Sequence, residues 1–141
     1  MANNVVILIG RILLAAMFIM SGLGKFLDPA ATTGMIAQAG FPAPAALNYL
    51  AGLFELVAGL AILIGLYTSI AAYALAAFCI FAGLVFHGGA IVVPGFPDGA
   101  NAMLSMFNQL LMMKNFTIAG GFLVLAAFGP GALSLDARRR A

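Results

Sequence analysis

Residues 46–66 read ALNYLAGLFELVAGLAILIGL, an apolar stretch whose single charge, Glu55, falls at its middle. At 1.5 Å per residue such a stretch covers about 30 Å as a helix, the thickness of a bilayer's hydrocarbon core. It reads as a transmembrane helix. A carboxylate at that depth costs about 2.5–3.5 kcal/mol on insertion scales, so Glu55 requires a partner or a role. The whole chain has the same character: 141 residues, 65% hydrophobic and 7% charged, with a mean hydropathy of +1.16. A soluble domain carries roughly 25% charged residues, which excludes a water-soluble globule, and the length allows one domain.

Outward from this stretch, three further spans follow from hydropathy: Val5–Leu27, Ser69–His87 and Met106–Phe128. The expected fold is all-α, an integral membrane four-helix bundle. The first run is too long for a signal peptide, lacks a positive leading region and contains Arg11, so it reads as retained. Tyr67 and Thr68 alone join the second and third spans. The other connections, 28–45 and 88–105, are longer and share a motif, Gly40-Phe41-Pro42 and Gly95-Phe96-Pro97. Their alanines, glycines and prolines suit short segments resting on the bilayer surface. Arg138, Arg139 and Arg140 follow the fourth span, and the positive-inside rule then places both termini in the cytoplasm and both long loops outside. A shift of 62 residues sets Lys25 on His87, Phe54 on Phe116 and Gly59 on Gly121, which suggests two related helical hairpins.

Several function classes drop out. The net charge of +2 comes from the arginine cluster, and no basic patch with interleaved aromatics supports nucleic-acid binding. Cys79 is the only cysteine, which leaves no intramolecular disulfide or CxxC pair. One histidine cannot ligate haem from both sides within a monomer. With no P-loop, dinucleotide fingerprint or nucleophile–base pair, no metal or covalent cofactor and no self-contained catalysis is expected.

Helical spacing groups the remaining polar residues. Arg11, Phe18, Gly22 and Lys25 share one face of the first span, and Asn48, Gly52, Glu55 and Gly59 one face of the second. Tyr73, Ala76, Ile80, Gly83 and His87 form a stripe on the third; Asn101, Ser105, Asn108 and Asn115 line up on the fourth. Small residues let helices approach closely in lipid, and polar groups gain partners by facing inward. Depths of about 3 Å for Lys25, 13 Å for Glu55 and 24 Å for Arg11 place the glutamate midway between two cations. Side-chain lean favours an outer cluster of Glu55, Lys25, His87 and Asn108. Guanidinium geometry favours an Arg11–Glu55 pair instead. The choice stays open. Lys114 reads as a snorkelling lysine, and with Asn115 completes the candidate residues.

These residues carry a resemblance. Gly10-Arg11-Ile12-Leu13, Ser21-Gly22-Leu23-Gly24-Lys25-Phe26, Gly40-Phe41-Pro42 and Phe54-Glu55-Leu56-Val57-Ala58-Gly59 followed by Leu63-Ile64-Gly65-Leu66 resemble the DoxX family, and His87 and Lys114-Asn115 look like family positions. The resemblance implies a four-helix inner-membrane protein of bacteria or archaea. Some relatives are subunits of thiosulfate:quinone oxidoreductase or of other membrane-bound oxidoreductase complexes. The expectation is therefore a membrane subunit or accessory of such a complex, able to self-associate, with a polar pocket for quinone or a similar amphipathic ligand. A small transporter coupling protons through Glu55, and a structural module in which Arg11–Glu55 sets packing, are the alternatives.

Overall fold

The computed structural model describes residues 2–139. Its elements are α1 (Ala2–Leu27), α2 (Ala30–Gln38), α3 (Pro44–Ile64), α4 (Thr68–His87), α5 (Asp98–Phe128) and α6 (Leu135–Arg139). Four of them, α1, α3, α4 and α5, are long and apolar enough to cross a membrane. Large apolar side chains such as Leu13, Met20, Val57 and Ile70 cover the outside. That inverted surface is stable only against lipid, where the helical backbone satisfies its own polar groups. The chain is an integral membrane four-helix bundle. One end carries α2 and the 88–97 connection; the other carries the start of α1 and α6.

Packing is most extensive within two hairpins, α1 with α3 and α4 with α5. Glycine decides the first. A Cβ on Gly22 would lie 2.8 Å from the Gly52 carbonyl oxygen, and one on Gly59 would lie 3.1 Å from Ile19 Cγ1. Such approach lets dispersion contacts replace the hydrophobic drive that lipid does not provide. Gly83 has the same role in the second hairpin, where its Cβ would lie 3.2 Å from Asn115 Cβ. Of the four spans, α3 and α4 share the shortest connection yet touch less. Between the hairpins, Phe18 meets Phe122 edge-on at 5.3 Å, within a core that includes Ile62, Leu75 and Cys79.

At the terminal end the chain folds back on itself. α3 stops in a Schellman turn: Gly65 adopts φ +70°, and the Leu66 amide reaches the Ala61 carbonyl at 2.9 Å. Gly65 has a second reason to lack a side chain, because its Cβ would collide with Ser134 and with the Arg11 guanidinium. α4 has no cap of its own. Asp136 supplies one from the C-terminal segment, accepting from the Tyr67 and Thr68 amides at 2.8 and 2.9 Å and from Thr68 Oγ1 at 2.8 Å. A carboxylate there satisfies orphan donors and complements the helix dipole. It also holds Tyr67 at φ +48°, a conformation that costs a non-glycine residue free energy.

α5 begins at Asp98, although hydropathy places the start of the fourth span near Met106. The polar residues along its first three turns bond to the neighbouring connection. Asn101 Oδ1 accepts from the Val93 amide at 2.9 Å, Ser105 Oγ from the Ile91 amide at 3.0 Å, and Asn108 Nδ2 donates to the Gly89 carbonyl at 2.9 Å. One helical stripe thus satisfies an irregular backbone strap. The remainder of the sequence-derived 88–105 loop is 88–97, and the 28–45 loop contains α2.

Candidate functional site

The hairpins part toward the loop end and leave a cavity of about 560 Å³. Its volume lies within the range of small-molecule pockets. Phe18, packed on Phe122, closes the bottom. Thr32, Met35 and Ile36 of α2 form part of the cover, and the sides are largely aromatic. Phe41, from the first Gly-Phe-Pro motif, packs against Phe81 and Phe86 at 6.2 and 6.3 Å, and Phe54 against Phe78 at 5.2 Å. The shared motif gave no warning that Phe41 turns inward.

The polar groups in this apolar wall are Ser21, Lys25, Glu55, His87, Lys114 and Asn115. Glu55, 3% exposed, pairs with Lys25: Nζ donates to Oε2 at 2.8 Å and to Oε1 at 3.0 Å. A second ammonium proton goes to Ser21 Oγ at 2.9 Å, one turn back on α1. The spacing of Ser21 and Lys25 could have identified this contact from sequence. The two carboxylate oxygens lie along one N–H direction, so Glu55 and Ser21 together occupy two of the three lysine donors. Asn48 braces the same corner, its Nδ2 donating to the Lys25 carbonyl at 2.9 Å; its buried Oδ1 has no partner among the described residues. Small residues made this pairing possible, since Gly52 packs against Lys25 Cβ.

His87 stands on the opposite hairpin at the end of α4. Its Nδ1 lies 2.8 Å from Asn108 Oδ1. Because Asn108 Nδ2 is spent on the Gly89 carbonyl, its oxygen accepts from His87, and the imidazole proton is assigned to Nδ1. In the neutral ring Nε2 is then the acceptor. Asn108 stands behind His87 as its orienting partner. Asn115, whose Nδ2 donates to the Leu111 carbonyl at 3.0 Å, and Lys114 line the cavity from α5.

Arg11 is elsewhere. Nearly fully buried at the terminal end, it donates through Nε to Ile62 O at 2.9 Å and through Nη2 to Leu63 O at 2.6 Å. Nη1 reaches Pro130 O at 3.1 Å and Leu133 O at 2.7 Å. Glu55 therefore has Lys25 as its partner, and Arg11 stitches the last turn of α3 to the segment after α5. The physical reason is a supply of orphan carbonyls at a helix C-terminus, where the dipole favours a cation and the guanidinium fork can serve several acceptors. The sequence-derived Arg11–Glu55 alternative does not form.

Comparison with known proteins gives the family that the sequence motifs resemble. A family model described as DoxX matches residues 6–88. Inner membrane protein YqjF of Escherichia coli (strain K12) is 38% identical over 134 residues, 95% of this chain and 92% of that protein. Inner membrane protein YphA of the same organism is 34% identical over 137 residues, 97% of this chain and 92% of that protein. No solved structure matches the chain.

Proposed function

The chain belongs to the DoxX family, and from that premise we propose that it is a membrane subunit or accessory of an oxidoreductase that holds a quinone-like amphipathic ligand. The observation that carries this reading is the aromatic cavity with Glu55–Lys25 on one wall and His87 on the other. The phenyl rings suit a flat, apolar ligand body, and a few convergent polar groups suit its oxygens. A carboxylate retains lone pairs beyond those Lys25 occupies, so Glu55 can accept from a quinol hydroxyl. His87 Nε2 can accept a proton there or, when protonated, donate to a quinone carbonyl. Both electrons of the quinone–quinol couple would pass to or from a redox group of a partner subunit.

In this reading the chain sits in the inner membrane with both termini in the cytoplasm, as the arginine cluster argues, and the cavity lies in the outer half. The test is the affinity of a soluble quinone analogue for the purified protein and for Glu55→Gln and His87→Ala. Each variant is expected to bind about ten-fold more weakly, a loss of about 1.4 kcal/mol. Equal affinities for all three proteins would remove the assignment.

A further inference from the structure

Charge accounting within the cavity leads one step further. Its lining holds two lysines and one glutamate, and Lys25 with Glu55 forms an ion pair that cancels one charge of each sign. Lys114 lines the same cavity without a hydrogen bond or ion pair among the described residues. The adjoining Asn115 packs at the level of Gly83, which places Lys114 about one helical turn, or about 5 Å, inside His87. Lys114 is exposed on a membrane-spanning helix, where a lone cation is costly unless a counter-charge joins it.

Resting on the pocket reading above, we propose that the cavity selects an amphiphile with a singly charged anionic head, carboxylate or an equivalent oxyanion, which binds Lys114 beside His87. The apolar body then lies against Phe41, Phe81 and Phe86. Lys25 is not the anchor, because Glu55 already neutralises its charge. His87 adds selectivity: in the protonated state its Nε2 donates to the same oxyanion, and in the neutral state it accepts from a protonated head. The anion neutralises the site's excess charge, which a neutral ligand of the same shape cannot do. A free fatty acid and the ionised form of a phenolic ring share this chemistry.

The experiment uses palmitic acid and its methyl ester, each carrying a diazirine at the same carbon. They are incorporated at equal mole fraction into phosphatidylcholine nanodiscs holding the intact protein, at alkaline pH. A photoactivatable quinone analogue is run in parallel, and labelling is read by intact mass and peptide mapping. The acid is expected to label cavity residues at least about ten-fold more than the ester. Lys114→Met, which makes the helix more apolar and so remains insertable, should bring the acid down to the ester's level; Lys114→Arg should restore the preference. Equal labelling by acid and ester, or a preference that survives Lys114→Met, overturns the anionic assignment. If the quinone analogue still labels the cavity in that case, the pocket reading stands without it. If no probe labels the cavity, both fall.

Discussion

Replacing Arg11 by methionine tests how the terminal end is built. The substitution keeps an unbranched apolar stem and removes the four bonds to Ile62, Leu63, Pro130 and Leu133. Hydrogen bonds involving a charged group contribute about 1.5–3 kcal/mol each. A simple sum overstates the loss, because Arg11 no longer has to be desolvated and carbonyls near the membrane surface can recruit water. Each carbonyl left buried and unsatisfied costs about 1–3 kcal/mol, and with water reaching some of the four the expected destabilisation is about 3–5 kcal/mol. At about 3–5 °C per kcal/mol for a chain of this size, the midpoint should fall by about 10–20 °C. The protein contains its own reporter. Cys79, its only cysteine, is 1% exposed in the α4 core, so a dye that fluoresces on reacting with thiols follows unfolding in detergent. Ligand affinity measured well below the midpoint should stay at the wild-type value, because Arg11 does not line the cavity. A midpoint within about 2 °C of wild type would refute the stitch. So would wild-type stability with lost binding, which would return Arg11 to the site.

Other perturbations separate packing from pairing. Lys25→Met leaves Glu55 buried and unpaired and should cost about 3–5 kcal/mol, while Lys25→Met with Glu55→Met should regain most of that; additive losses in thiol-dye melts would contradict the pair. Gly22→Val drives a side chain into the Gly52 carbonyl and should destabilise by at least about 1–3 kcal/mol, and a melt unchanged from wild type would show that α1 and α3 do not approach so closely. Asp136→Ala uncaps α4 and should cost about 1–2 kcal/mol, with faster hydrogen exchange at Tyr67 and Thr68; exchange unchanged at both amides would contradict the cap.

Hydropathy was sufficient for the four spans because lipid imposes a length and a polarity that few other folds share. It failed at the start of α5, since Asn101, Ser105 and Asn108 look like loop residues until the 88–97 strap supplies their partners. Periodicity put Glu55, Lys25 and Arg11 on facing stripes but could not choose between the cations. That choice depends on a segment whose position hydropathy does not encode, the stretch after α5 that brings Pro130 and Leu133 to the guanidinium. For the same reason Asp136 read as part of a tail, although it caps a helix 68 residues earlier in the chain. Side-chain lean favoured Lys25 correctly, whereas guanidinium geometry was satisfied by carbonyls instead of the carboxylate. Lys114 read as a snorkelling residue off the asparagine face; it is exposed in the structure and also borders the cavity beside Asn115.

The most direct test of a ligand-holding cavity is a photolabelling map. A photoactivatable quinone analogue, reacted with the protein in nanodiscs and located by peptide mass spectrometry, should mark Phe41, Phe81 and Phe86, and Glu55→Gln should suppress that labelling. Label confined to lipid-facing residues such as Leu13 and Met20, or cavity label indifferent to Glu55→Gln, would contradict the account.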